Sequence, residues 1–190
     1  VIAATGLPVS GDTSSISPSK CQDIIDQRQE NCDECAWANY SAWQEFVPTV
    51  NNLVRVEVSV AHTGSANEPP LNLSIEKPLG TILTQKSLPW NAVPQMYCNW
   101  TSFDVPDISI TPGLTYYIVL TFEMGADYNW CGAWNNPYPP GISNRDPTWD
   151  WTFRTYYDEI PEECCLSIES MTGGLFAPTA SLKINAVIKF

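Results

Sequence analysis

Seven cysteines are the residues of this sequence whose type and spacing most directly indicate chemistry. Cys32 and Cys35 form a Cys-x-x-Cys pair, a spacing found in zinc sites, thiol redox centres and disulfide frameworks. A structural zinc site needs a second such pair, but Cys164 and Cys165 are adjacent. No βαβ pattern surrounds the pair, which disfavours a thioredoxin-like centre. We favour disulfides formed in an oxidising compartment, and the candidates are Cys21, Cys32, Cys35, Cys98, Cys131, Cys164 and Cys165.

Two of these cysteines adjoin segments with a strand pattern. We expect Cys98 and Cys131 to be oxidised, because they lie next to predicted strands of one sandwich. We also expect one of Cys21, Cys32 and Cys35 to form a bond within the N-terminal segment. Seven is an odd number, so at least one thiol stays free or pairs outside the chain.

No catalytic arrangement is recognisable in the sequence. His62 is the single histidine, and without recognisable partners it is best interpreted as a surface residue. The fingerprints of hydrolases, metalloproteases and nucleotide-binding enzymes are absent. A glycosidase carboxylate pair stays open as an alternative, since its spacing is spatial. We therefore predict a non-enzyme without catalytic residues, zinc or organic cofactor, and keep Ca²⁺ as a minor alternative with Asp146, Asp150 and Asp158 as its oxygen ligands.

Aromatic residues cluster around one long, proline-rich segment. Exposed Trp and Tyr rings stack on sugars and are also enriched at protein interfaces. The interpretation that we favour is that these rings fill a sandwich core and hold the loops. The candidates for a sugar or interface platform are Trp130, Trp134, Tyr138 and Trp149.

Three N-glycosylation sequons begin at Asn39, Asn72 and Asn99. About two would arise by chance in a chain of this composition, so their number alone decides nothing. Asn72 alternates with Leu71 and Leu73, which places it on the solvent face of a predicted strand.

Charge excludes several partners. The 190 residues include 9 Lys and Arg against 21 Asp and Glu, a net charge of −12. Nucleic acid and anionic lipid surfaces need a positive surface, so both are disfavoured. No apolar run of about 18 residues predicts membrane insertion. No signal peptide is visible, so a secreted protein would be present here in its mature form.

Apolar residues recur at every second position in several segments of the chain. Apolar residues alternate with polar ones over residues 54–60 and 71–75, and again over 151–157. Over residues 116–122 the apolar residues also recur at spacing two, but Tyr117 and Val119 between them are apolar, so both faces of this strand are expected to be covered. Turn signals separate these segments, which predicts an all-β, antiparallel sandwich of jelly-roll or immunoglobulin-like type with Pro- and Trp-rich loops. Two other segments lack this pattern. Residues 23–29 are predicted to form a helical turn after Ser17-Pro18-Ser19, and residues 31–45 are predicted to form a loop held by disulfides.

Three parts are expected along the chain. Residues 1–25 form a leader that a neighbouring subunit could receive, residues 26–158 form the sandwich, and residues 159–190 form a linker and hairpin. Within 182–190, apolar residues alternate with Lys183, Asn185 and Lys189, which predicts an amphipathic strand for assembly. Its apolar positions include Leu182, Ile184, Ile188 and Phe190.

Several blocks resemble a β-sandwich module of secreted archaeal surface proteins. They cover residues 43–49, 53–57, 103–108, 111–119, 136–139 and 151–156. The tail, at residues 166–169, 172–174 and 180–183, resembles the first hairpin of an immunoglobulin-like (CARDB-like) repeat, truncated here. The resemblance implies a fold and a location at the cell surface, and it implies no catalytic residues.

The sequence thus predicts a secreted, non-enzymatic subunit of a cell-surface or extracellular filament, whose partners are copies of itself. The alternative is a carbohydrate-binding or adhesive module, with glycans as partners.

Overall fold

The computed structural model describes residues 23–64 and 67–158 of the chain. This part is built from strands and one short 3-10 turn at Trp90–Ala92. The strands are β1 (Asp23–Gln29), β2 (Glu34–Trp37), β3 (Ser41–Phe46), β4 (Asn52–His62), β5 (Leu71–Glu76), β6 (Ile82–Leu88), β7 (Asn99–Ser109), β8 (Tyr116–Thr121), β9 (Tyr128–Trp134), β10 (Trp149–Trp151) and β11 (Phe153–Asp158).

The strands form two antiparallel sheets, which confirms the predicted all-β sandwich. The larger sheet has the order β1-β11-β4-β9-β10, with β2 beside β9 and β7 on the other edge of β4. The smaller sheet has the order β3-β8-β5-β6. The side chains between the two sheets form one hydrophobic core, with Phe46, Leu73 and Ile118 from the smaller sheet and Phe103 and Phe153 from the larger.

The period-two pattern explains the strands that the sequence predicted. In β4, Val56, Val58 and Val60 are fully buried, while Arg55 and Glu57 lie on the outer face. In β8 the residues between the buried Tyr116, Ile118 and Leu120 are also partly or fully covered, as predicted for a strand with neighbours on both faces.

Strand β4 shares one edge between two partners. Its first half pairs with β11 and its last residues pair with β9. Thr152 lies at the point along β4 where β9 takes the place of β11 as the neighbouring strand. Its N–H and Oγ1 both donate hydrogen bonds to the carbonyl of Cys131, at 2.9 and 3.0 Å. Its Oγ1 also accepts a hydrogen bond from the N–H of Ser59 at 3.3 Å, and its carbonyl accepts one from Trp130 Nε1 at 2.8 Å.

Three tryptophans pack around this junction. The rings of Trp130 and Trp151 are stacked with centroids 5.3 Å apart, and Trp149 meets Trp151 edge to face. Gly132 is required here because a Cβ at that position would lie 2.4 Å from the Trp149 ring. The indoles therefore close the end of the core where β9 leaves β4.

Two local predictions are wrong. Residues 23–29 are strand β1 rather than a helical turn, because they pair with β11 and so complete the edge of the larger sheet. The segment 31–45 is pinned by disulfides as predicted, but it contains β2 and most of β3 instead of being a loop. Strand β1 begins at Asp23, so its first three residues lie within the predicted leader of residues 1–25.

The terminal segments 1–22 and 159–190 lie outside the described residues, and so does the predicted assembly strand. Of the helices in the described part, none has the length and apolar character that a membrane crossing requires.

Replacing Thr152 with Val is expected to destabilise the fold. The change keeps the shape of the side chain but leaves the buried N–H of Ser59 without its acceptor, which costs about 1–3 kcal/mol. The free energy of unfolding in urea measures the loss. The control is Thr121→Val, at a half-exposed position in β8 whose hydroxyl makes no hydrogen bond within the described residues. An equal effect of both changes would contradict the role given to Thr152.

Candidate functional site

Two disulfides fasten β2 to the larger sheet. Cys32 bonds to Cys131 on β9, and Cys35 bonds to Cys98 just before β7, with Cα–Cα distances of 5.5 and 6.0 Å. Both distances lie in the usual range for disulfides. The prediction that Cys98 and Cys131 are oxidised is confirmed.

The expected bond within the N-terminal segment is wrong for Cys32 and Cys35, because both partners lie in the sandwich. Strand β2 has only four residues, and the hydrogen bonds of so short a strand hold it weakly. The two covalent links therefore fix its position. Cys21, Cys164 and Cys165 lie outside the described residues.

The proposed aromatic platform does not form. Trp130 and Trp149 are fully buried and Tyr138 is nearly so, because they pack around the Thr152 junction and against Phe153. Only Trp134 among the four is exposed, at 42%. The aromatic cluster thus belongs to the core, as the favoured interpretation had it.

His62 is not a surface residue. It ends β4 with 2% of its surface exposed, and its ring meets Trp90 edge to face at 5.5 Å. Its Nδ1 has no hydrogen-bond partner within the described residues. The position of His62 at a strand end suggested exposure, but the segment before β7 covers it through a backbone bridge to Gln95.

The acidic residues that were considered as Ca²⁺ ligands make separate hydrogen bonds. Asp150 is buried and accepts hydrogen bonds from Gln44 Nε2 at 3.0 Å and from the N–H of Tyr138 at 2.9 Å. Burial raises the pKa of Asp150, and these hydrogen bonds oppose the shift. Asp146 accepts hydrogen bonds from Thr148, which lower its pKa. Within residues 23–64 and 67–158, no three His, Cys, Asp or Glu side chains are arranged to hold a metal ion.

The described part of the chain begins and ends at neighbouring positions of the larger sheet. Asp23, the first residue of β1, pairs in register with Asp158, the last residue of β11. The pKa of Asp158 is raised, first by burial and then by the negative charges of Asp23 and Asp107 and a hydrogen bond with Asp23. Arg55 Nε offsets part of this negative charge through an ion pair with Asp23 at 2.7 Å.

An ion network continues from Arg55 across the outer face of the larger sheet. Glu57 pairs with Arg55 and with Arg154, the latter at 3.2 Å, and accepts a hydrogen bond from Tyr156 Oη at 2.6 Å. Burial alone would raise the pKa of Glu57, but the hydrogen bonds and the charge of Arg55 outweigh it and lower the pKa. The guanidinium of Arg55 also lies 3.6 Å from the centre of the Tyr156 ring.

The edges of the sandwich differ in how they are protected. β7 carries Pro106 between Asp104 and Asp107, and proline and charge both discourage pairing with another chain. β6 pairs with β5 on one side, and on its other side β7 lies close to its middle, where Thr84 Oγ1 donates a hydrogen bond to the carbonyl of Pro106 at 3.1 Å. Ile82 and Leu83 at its start are 54% and 42% exposed, whereas its second half is polar and carries the exposed Lys86. The apolar, exposed part of this edge is therefore the start of β6.

A small pocket lies beside the turn between β2 and β3. Trp37 and Tyr40 are exposed at this turn, with ring centroids 5.2 Å apart. The pocket has a volume of about 230 Å³ and is lined by Trp37, Ala38, Asn39, Ala42, Asn144, Arg145 and Trp151. The sequon pattern identifies Asn39 but not the aromatic residues beside it. The signal was present, because aromatic residues lie two positions before and one position after it.

No protein-family model matches the chain, and no curated protein matches it significantly.

The two disulfides are expected to appear as Cys32–Cys131 and Cys35–Cys98 when unreduced protein is digested and its peptides are analysed by mass spectrometry. Removing one bond with Cys35→Ser and Cys98→Ser together should lower the free energy of unfolding by about 2–4 kcal/mol. Reduction of the unmodified protein is the control, since it should lower stability further. A bond between Cys32 and Cys35 would contradict the assignment.

Replacing Asp158 with Asn is expected to raise the melting temperature at pH 7. Because the pKa of Asp158 is higher in the folded state than in the unfolded state, protonated Asp158 favours folding at pH values below the ordinary carboxyl pKa. This contribution to stability is lost as the pH rises through the folded-state pKa, so ionised Asp158 disfavours folding at pH 7. The benefit of the change should therefore vanish near pH 3. Asp23→Asn should have the opposite sign at pH 7, because it breaks the pair with Arg55.

Glu123→Gln is the matched control, since it removes the same charge at an exposed position in the β8–β9 connection. A rise with Asp158→Asn no larger than the rise with Glu123→Gln would show that local repulsion is not the cause.

Proposed function

We propose that this chain is a non-enzymatic, secreted structural protein, a subunit of a cell-surface or extracellular filament that assembles through terminal β-strands. The observation that carries the proposal is the exposed, apolar start of the β6 edge at Ile82 and Leu83, which pairs with β5 on one side only. An unpaired strand edge recruits strands of other chains, and most proteins protect such edges with charge, proline or a covering loop. On β3, residues 142–144 provide such a cover through hydrogen bonds to Trp43 and Glu45.

Strand addition supplies affinity through main-chain hydrogen bonds and specificity through alternate side chains. Residues 182–190 have the alternating pattern that such a donor needs, and they contain Lys183 and Lys189 without any acid. Residues 23–158 carry 6 Lys and Arg against 16 Asp and Glu, a net charge of −10. The donor and the sandwich are therefore opposite in charge, which favours their encounter.

The length of chain after Asp158 also supports donation to another subunit. The 32 residues 159–190 span up to about 105 Å when extended, at about 3.3 Å per residue. A contact between a donor segment and a different surface of the next copy is heterologous. Such contacts form open filaments unless their rotation closes a ring.

Two disulfides support a secreted location, because such bonds persist in oxidising compartments. The three sequons fit a glycoprotein of that location. Membership of residues 26–158 in the archaeal surface module, and of the tail in an immunoglobulin-like repeat, belongs to the same proposal and is supported by the resemblance of the sequence blocks.

A carbohydrate-binding or adhesive module is the second candidate. The predicted aromatic platform does not support this candidate, because Trp130, Tyr138 and Trp149 are buried. One observation still favours it: the pocket beside the exposed Trp37, which has polar side chains at its rim. Filaments of the purified protein would favour the first candidate, and monomers that bind glycan arrays would favour the second.

Deleting residues 180–190 from the full chain is expected to abolish filaments and leave soluble monomers, because the donor strand is lost. Electron microscopy and light scattering measure the outcome. Deletion of residues 1–10 is the companion variant, since either terminus can supply the donor. Filaments that persist unchanged after each deletion would overturn the proposal.

The acceptor edge is tested by Ile82→Lys combined with Leu83→Lys, which adds charge where a strand would pair. Leu114→Lys is the matched control, because Leu114 is similarly exposed, at 45%, in the β7–β8 turn. The double change should prevent assembly, whereas the control should leave it intact.

A further inference from the structure

The turn between β2 and β3 presents a sequon in an unusual backbone conformation. Asn39 and Tyr40 have φ angles of 50° and 61°, both in the left-handed region of backbone conformation. Asn adopts this region readily, and Tyr does so at a cost. The turn carries the chain from β2 in the larger sheet to β3 in the smaller sheet, and the Cys32 and Cys35 disulfides hold the strand that precedes it.

The side chain of Asn39 is available for modification. It is exposed, and its amide makes no hydrogen bond with any described residue. Trp37, two residues earlier, is 47% exposed and meets the ring of Tyr40 edge to face. Tyr40 is supported from behind by Phe122, with centroids 5.5 Å apart. The sequon is thus flanked by a fixed, accessible aromatic surface.

The pocket beside this surface has room of the order of one monosaccharide. Its lining includes Trp37 and Asn39 together with Asn144 and Arg145. The apolar faces of a pyranose ring pack on indole, and its hydroxyl groups hydrogen-bond to amide and guanidinium groups. The pocket has both kinds of partner next to the amide that would carry the sugar. Asn144 already hydrogen-bonds to Trp43 and Ser41 and Arg145 pairs with Glu34, so sugar hydroxyls would share these groups.

The other two sequons lack this arrangement. Asn72 lies in β5, which pairs with strands on both sides, and its side chain is only partly exposed. Asn99 is exposed, but its Oδ1 accepts a hydrogen bond from the N–H of Trp100 at 2.8 Å. Asn99 has aromatic neighbours at the same spacing as Asn39, namely Trp100 and the 81% exposed Tyr97, but neither Asn72 nor Asn99 lines the pocket beside Trp37.

We propose that Asn39 carries an N-linked glycan whose first sugar packs against Trp37 and occupies the pocket bounded by Asn144 and Arg145. In the transfer, Asn39 Nδ2 bonds to the anomeric carbon of a sugar held on a lipid diphosphate. The bond from that carbon to the diphosphate oxygen breaks, the lipid diphosphate leaves, and Nδ2 loses one proton. The inference rests on the secreted location in the proposed function and is independent of filament assembly.

The test begins with the full chain secreted from cultured eukaryotic cells, which supply the transferase whatever the native location. Glycopeptide mass spectrometry is expected to find Asn39 occupied. Ser41→Ala should abolish that occupancy and Ser41→Thr should retain it, since the sequon accepts either hydroxyl residue. An unmodified Asn39 alongside an occupied Asn72 or Asn99 would overturn the proposal.

Packing of the first sugar is tested by melting temperature. Trimming the glycan to its first sugar with an endoglycosidase should keep the stabilisation, whereas the unglycosylated Ser41→Ala chain should melt about 2–4 °C lower. In Trp37→Ala the glycan should not raise the melting temperature. Trp37→Phe keeps an aromatic ring and should retain part of the rise, which shows that a loss in Trp37→Ala does not come from misfolding. An equal shift in Trp37→Ala would overturn the packing.

The same pocket could take a free sugar, and one further arm separates the two sources. The Ser41→Ala chain is titrated with N-acetylglucosamine and followed by tryptophan fluorescence. Because the chain has eight tryptophans, the same titration with Trp37→Phe added identifies the part of the signal that comes from Trp37. Tight binding of the free sugar, with Asn39 unmodified in the parent chain, would assign the pocket to a soluble ligand. None of these measurements depends on filament formation. They would therefore still test the glycan proposal if the assembly proposal failed.

Discussion

The hydrogen-bonding edge of β4 is the constraint from which most of the larger sheet follows. One edge of this eleven-residue strand serves both β11 and β9, and Thr152 satisfies the backbone groups where one replaces the other. Because β9 leaves β4 at this point, it continues beside β10, and its opposite edge stays available for β2. Buried backbone groups must be paired, so the junction leaves little freedom in how these strands are arranged.

This arrangement explains why covalent bonds are concentrated around β2. The strand contacts the sheet only through β9, and its four residues offer few hydrogen bonds and little apolar area. The two disulfides compensate by linking it to β9 and to the start of β7. The exposed turn with Trp37 and Asn39 is consequently held on a rigid base, and this rigidity is what makes the aromatic surface and the pocket persistent features of the molecule.

Strands with one buried face could be predicted from the sequence, because alternation such as that of Val56, Val58 and Val60 has a single interpretation. Residues 23–29 lack that alternation, and only pairing with β11 makes them a strand. Exposure was harder to predict, since a Trp in a proline-rich segment serves a core and a ligand site equally well. Trp149 and His62 are buried by distant segments, which no local pattern reveals, whereas the turn at Asn39 between β2 and β3 has aromatic neighbours whose spacing is visible in the sequence.

The neighbouring positions of Asp23 and Asp158 determine how the sandwich would respond to tension. Force that pulls Asp23 and Asp158 apart loads the β1–β11 pair at one end, so its hydrogen bonds break one after another rather than together in shear. Such unzipping requires little force and releases slack from both strands. On the β1 side the extension stops at Cys32, because its bond to Cys131 passes the load to β9. On the β11 side the first covalent stop is Cys131 itself, so tension would extend only residues 23–32 and 131–158, and the disulfide would shield the strands between Cys32 and Cys131 from the load.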